Sequence, residues 1–244
     1  MKSKRLLSLI CIVAVLVSVF AFPANAATTT ESNNGAAEAT DEQVDYWNNQ
    51  DKANESDVNR TETEALAELS PNTRAASWIL TSRYFYYYGQ EKGYSCGPAC
   101  VKMALRNITG IAYSESVIRT GCNTTPSGTY LSDMVEYINE MQDHNLYVAR
   151  YLQTKATMQS NLYTGIVNWD APPIIGVRES TTSGWNYNLS GHFVTVYAVS
   201  SDKSAFLISD PWSGYIGDSA NRDLNISVDN LYTGYNAINI GYMF

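Results

Sequence analysis

The chain has 244 residues, 45% hydrophobic and 16% charged, which suits one good-sized domain with tails and excludes a fibrous or wholly disordered protein. Its formal charge of -8 lies mostly in the first third: Ala27 to Ala76 holds 11 acidic and 3 basic residues, whereas Ser77 to Phe244 holds 13 and 10. The acidic excess argues against nucleic acid or an anionic surface as partner.

The chain opens with a targeting segment. Lys2, Lys4 and Arg5 give a positive start, Leu6 to Phe22 is an apolar run, and Pro23 breaks it. Ala24-Asn25-Ala26 is a small-x-small cleavage site, so residues 1–26 read as a secretory signal peptide cut after Ala26. No other segment is long and apolar enough to span a membrane, so no stable membrane insertion is expected after cleavage. The expected location is secreted or extracellular. Residues 27–76 read as an acidic, largely disordered linker or as a pro-segment that folds onto the domain and masks it. Within them Thr40-Asp41-Glu42-Gln43 fits a capping box, and a second short helix is expected from Thr61 to Leu69, stopping before Pro71.

A domain is expected over 77–244. Trp78 to Tyr88 has strand character. Pro98 to Arg106 reads as a buried helix, Ser114 to Thr120 as a short one. Thr129 to Asp143 is a clearer helix, with Thr129 as N-cap and Leu131, Met134, Val135, Ile138 and Met141 on one face. Leu146 to Tyr151 is a strand, Met158 to Trp169 a weak helix, and Pro173 to Val177 a strand. Phe193 to Val199 and Ala205 to Ser209 form a hairpin turning at Ser200 to Lys203, and the chain ends in an apolar strand from Asn236 to Tyr242. Helices first and antiparallel strands later make an α+β domain.

The stretch QEKGYSCGPAC, Gln90 to Cys100, carries the chemistry. With the helix starting after Cys96, the Cβ atoms of Cys96 and Cys100 stand about 5–6 Å apart, whereas a disulfide wants roughly 3.5–4.5 Å. A metal site needs three or four ligands, and the mature chain's three Cys and two His do not cluster in sequence, so no metal or other cofactor is expected. A nucleophile remains. A helix N-terminus stabilises a thiolate, and Gly97 and Pro98 suit that place, which favours Cys96 over Cys100. Cys100 and Cys122 are candidates for a disulfide. His144 lies in a polar loop; His192 opens an apolar strand and is the candidate base. Counting back from the hairpin loop pairs Phe193 with Asp210 and His192 with Pro211, which brings Asp210 within one residue of His192 and lets it fix the imidazole tautomer. The Gln90 amide and the Cys96 backbone N–H are candidate oxyanion donors. Trp185 and Trp212 are candidates to line a cleft.

The order Gln, Cys at a helix start, His and Asp resembles the papain-like cysteine peptidases. YSCGPACVKMALRNITG, GTYLSDMVEYI, GHFVTVYAV and FLISDPWSG are similar to the bacteriocin-processing, double-glycine leader peptidases and their stand-alone secreted relatives, over roughly Tyr84 to Gly214. The resemblance implies a papain-like fold, Cys96 as nucleophile, His192 as general base and acid, Asp210 as orienting residue and Gln90 as oxyanion donor. The expected function is a secreted cysteine peptidase acting on peptide or isopeptide bonds of a peptide or protein substrate through an acyl-enzyme. The rivals are an acyltransferase or cell-wall amide hydrolase on the same fold, and a non-catalytic binding module.

Overall fold

The computed structural model describes residues 35–50, 60–68 and 78–244. The expected signal peptide and the remainder of the acidic segment lie outside the described residues. Among the described residues no helix is long and apolar enough to cross a membrane.

The architecture is α+β, as expected. The helices are α1 (Asp41–Asn48), α2 (Glu62–Glu68), α3 (Cys96–Thr109), α4 (Glu115–Gly121), α5 (Leu131–Glu140), α6 (Lys155–Val167), α7 (Pro211–Tyr215) and α8 (Val228–Asn236). The strands are β1 (Trp78–Leu80), β2 (Ala149–Arg150), β3 (Ile174–Glu179), β4 (Leu189–Ser200), β5 (Ala205–Ser209), β6 (Leu224–Ser227) and β7 (Tyr242–Met243). They form one antiparallel sheet in the order β2-β7-β3-β4-β5-β6, with β1 pairing the far end of β4.

β4 is the spine. It is long and buried along nearly its whole length, the polar His192 and Thr195 included, and alternation sends successive side chains to opposite faces. Phe193 joins a cluster with Met103, Leu105, Met134 and Ile138, which belong to α3 and α5. Val194 and Val196 join Leu162 of α6, Leu231 of α8 and Phe206 of β5 in a second cluster. Helices therefore cover the sheet through two separate apolar layers, and α3 packs directly on β4.

Several elements differ from expectation. The strand expected over 78–88 pairs only at Trp78–Leu80. The rest crosses to α7, where the Tyr87 hydroxyl donates to the Asp210 carbonyl at 3.2 Å and accepts from the Gly214 N–H at 2.6 Å. The strand expected over 236–242 is the end of α8 and a turn, with pairing only at Tyr242–Met243. A Ser227 cap, whose side chain accepts from the Asn230 N–H, starts α8 and overrides the apolar pattern. The hairpin closes with Thr195 opposite Ser209, after an irregularity between Val196 and Ala198. The expected pair of Phe193 with Asp210 is not formed, because the turn sets Val199 opposite Phe206 rather than Ser204, two residues off, and the irregularity recovers only one of them.

Candidate active site

α3 delivers the thiol. It starts at Cys96 itself, and its C-terminus is closed by Gly110 in the left-handed conformation, φ 74°. The helix is long enough to run through the core, with Val101, Met103, Ala104 and Leu105 fully buried, so the position of Cys96 is set by apolar packing. Gly97 sits against α5: a Cβ there would stand 2.8 Å from Met134 Sδ. In the structure its small size serves helix packing rather than a bend in the chain.

The loop before Cys96 is clamped from α4. The buried carboxylate of Glu115 accepts the Glu91 N–H at 3.0 Å, the Ser95 hydroxyl at 2.6 Å and Arg119 Nη1 at 3.0 Å. Burial raises the pKa of Glu115, and these hydrogen bonds work against that rise. Gln90 is buried at the start of this loop, and its N–H donates to the Pro211 carbonyl at 3.1 Å. Its side-chain Nε2 donates to the Lys92 carbonyl at 2.7 Å, and Oε1 has no partner.

β4 delivers the imidazole. His192 is fully buried, and its Nε2 lies 2.6 Å from Asp210 Oδ1. The other ring nitrogen, Nδ1, has no hydrogen bond of normal geometry, and the Cys96 thiol is the second group acting on the ring. Burial alone would lower the pKa of His192. Burial is the largest single effect, but the charges and hydrogen bonds of Asp210 and Cys96 together outweigh it, and the net shift is well above the ordinary 6.5. Trp212 stands edge-on to the ring, centroids 6.5 Å apart. Trp185, also expected near a cleft, is instead part of the apolar layer with Leu231 and Tyr235.

Asp210 leaves the end of β5 as the N-cap of α7. Its Oδ1 accepts the Trp212 N–H at 2.8 Å as well as the His192 ring. Its Oδ2 accepts Asn221 Nδ2 at 3.3 Å. Asn221 in turn reaches Glu179 Oε2 at 3.4 Å. Glu179 is a second buried carboxyl behind the first, and burial, reinforced by the Asp210 charge, raises its pKa well above 4.5. Sequence reading ended β3 at Val177 and missed this residue. It follows the exposed Arg178 in IIGVRE, so nothing in the sequence marked it as buried. Among the described residues, Glu179, His192 and Asp210 are the one group whose donor atoms converge as a cation site would require. The 2.6 Å bond between His192 and Asp210 already joins two of those donors.

Among the described residues the three cysteines, Cys96, Cys100 and Cys122, are all free. The bond expected between Cys100 and Cys122 is not formed. Cys100 lies under β4, its thiol donating to the Phe193 carbonyl at 3.3 Å, whereas Cys122 caps the end of α4. Burial pushes both thiols up, well above the ordinary 9.0, so both stay protonated. The Phe193 N–H donates to Cys96 Sγ at 3.5 Å, so one residue of β4 holds both cysteine sulfurs of α3. His144 is exposed in its loop.

The sequence profile described as "Peptidase C39 family" matches residues 84–235. No curated protein matches the chain. The peptidase domain of Streptococcus ComA, a bifunctional ABC transporter, is 19% identical with a TM-score of 0.46, over 66% of this chain and 97% of that one. A double-glycine motif protease from an AMS/PCAT transporter, solved with its leader peptide, is 16% identical with a TM-score of 0.44, over 66% and 91%. A C39-like peptidase from Bacillus anthracis is 11% identical with a TM-score of 0.47, over 67% and 95%.

Proposed function

Since this chain belongs to the peptidase C39 family and is a cysteine peptidase, we propose that Cys96 is its nucleophile, His192 its base and acid, and Asp210 the residue that orients His192. One observation carries this reading. His192 is bonded through Nε2 to Asp210 at 2.6 Å, which leaves Nδ1 for the Cys96 thiol. The sulfur attacks the scissile carbonyl carbon of a peptide or isopeptide bond as His192 holds the thiol proton. The C–N bond breaks, the amine departs with that proton, and a thioester remains on Cys96. Water then attacks the thioester, His192 takes its proton and returns it to the sulfur, and the acid product leaves. The Cys96 N–H and one Nε2 proton of Gln90 serve the oxyanion, since the Lys92 carbonyl uses only the other. The raised pKa of His192 supports an imidazolium that persists through neutral pH.

The chain acts outside the cytoplasm after removal of residues 1–26. N-terminal sequencing of the exported protein is expected to begin at Ala27; an intact Met1 overturns this part. Cys96→Ala is expected to abolish hydrolysis of a mixed peptide library while leaving the melting temperature unchanged. Turnover near wild type would sink the assignment. Product analysis with an added amine distinguishes hydrolysis from acyl transfer.

A further inference from the structure

Cys96 and His192 are both fully buried, although a peptide bond must reach them. The chain's own N-terminal segment lies directly against Cys96. A Cβ built on Gly35 would stand 2.9 Å from Cys96 Sγ and 2.7 Å from the Tyr94 carbonyl. Gly35 has φ 105°, a conformation other residues rarely adopt, so the position admits glycine on two independent grounds.

The segment is held by its main chain through an isolated bridge. The Thr129 N–H donates to the Gly35 carbonyl at 2.9 Å, and the Ala37 N–H donates to the Thr129 carbonyl at 3.0 Å, a parallel bridge centred on Ala36. On the opposite side the Ala36 N–H faces the Gly191 carbonyl at 3.4 Å, next to His192, and the Ala39 N–H donates to the Asn239 carbonyl at 2.8 Å. Thr129 was expected as the N-cap of a helix. Tyr130 takes that place, and the backbone of Thr129 faces the segment instead. The walls are narrow because they lack side chains: a Cβ on Gly128 would stand 2.7 Å from the Gly35 carbonyl, and one on Gly191 3.1 Å from the Ala36 carbonyl.

Just beyond, α1 anchors the segment outside the groove. Thr40 caps α1 with the expected capping box, Gln43 Nε2 donates to Ser132 Oγ at 2.9 Å, and Val44 and Trp47 enter the apolar layer under α3. Arg150 holds the Trp47 and Gln50 carbonyls at 2.6 Å each.

We infer that the groove between Thr129 and Gly191 is the enzyme's peptide-binding site, and that residues 35–39 fill it as a tethered plug. The ligand class is an extended peptide held by its main chain, and a substrate enters only when the plug leaves. The inference rests on Cys96 being the nucleophile.

The test uses the whole chain from Ala27, with two readouts. In Gly35→Cys the left-handed φ and the crowding against the Tyr94 carbonyl loosen the plug as any Cβ there must, but Thr40 keeps the new thiol tethered beside Cys96, so a disulfide can trap it there. Mild oxidation is expected to join the introduced thiol to Cys96, located by peptide mass spectrometry, with no bond in the same chain carrying Cys96→Ser. Separately, iodoacetamide labelling of Cys96 is compared in wild type, Gly35→Val and Trp47→Ala. Both variants are expected to label at least about tenfold faster, since labelling follows the population with the groove open. Cys100 and Cys122, buried and protonated, report any general unfolding. Equal labelling of Cys96 in wild type and both variants, with no cross-link, overturns the plug. A cross-link that forms while unmasked Cys96 labels no faster in the presence of His192 than in His192→Ala keeps the plug and overturns the nucleophile.

Discussion

The thiol and the imidazole are delivered by two unlike regions. Under Cys96 lies an apolar layer in which α3 is fixed by Val101, Met103, Leu105 and Met134. Around His192 the support is polar and buried: Asp210, Asn221 and Glu179 connect through hydrogen bonds, with two carboxyls out of water. The first region tolerates small losses of fit, because packing energy is spread over many contacts. The second does not, because each buried polar group depends on a particular partner. Damage to the first should lower stability and spare the chemistry of the molecules that remain folded. Damage to the second should reach the chemistry directly.

The sharpest way to break this contrast is Asp210→Ala. It removes the partner of His192 Nε2 and the N-cap of α7 together. Turnover is expected to fall by roughly 10²–10⁴, by analogy with the loss of the orienting carboxylate in a Ser-His-Asp triad, and unfolding stability by about 3–5 kcal/mol. Retained turnover would show that the ring is oriented by something else. Next is Leu105→Ala in α3. A fully buried leucine is expected to cost about 2–5 kcal/mol in urea unfolding, with kcat per folded molecule unchanged; a large fall in kcat at low urea would erase the distinction. Glu115→Ala tests the clamp on the loop before Cys96. It strands the Glu91 N–H, the Ser95 hydroxyl and Arg119, and about 3 kcal/mol of stability should go with it.

The smallest effect is a pH dependence. The folded pKa of Glu179 is raised above its ordinary 4.5, so its contribution is present below that value and lost as pH rises through the folded one. His192, also raised, contributes fully below 6.5 and loses that contribution as pH climbs past its folded value. Thermal melts should therefore show stability declining from acid towards alkaline pH, and Glu179→Gln should flatten the decline that begins near 4.5. An unchanged slope in that variant would place the titration elsewhere.

Much of this was legible in residue types and order. Cys96 followed by Gly97 and Pro98 announces a helix start, and the Pro after Asp210 announces the end of a strand. The adjacency of His192 and Asp210 could be counted from the hairpin, although the exact register could not. The irregularity at Val196 depends on how β4 pairs with β5 and leaves no mark in composition. Glu179 was illegible because burial of a lone acid is decided by tertiary structure. The capping box at Thr40 was readable; that the five residues before Thr40, Gly35 to Ala39, reach the site was not, since Gly-Ala-Ala-Glu-Ala carries no destination.

Thr40 joins the plug to its anchor with almost no slack. A tethered strand of this kind competes at an effective concentration on the order of millimolar, whatever the dilution of the protein. Any incoming peptide must outbid that local concentration, so weak and casual ligands are filtered out without a single residue devoted to rejecting them. Length of contact beyond the groove, rather than fit at the sulfur alone, then becomes the currency of selection.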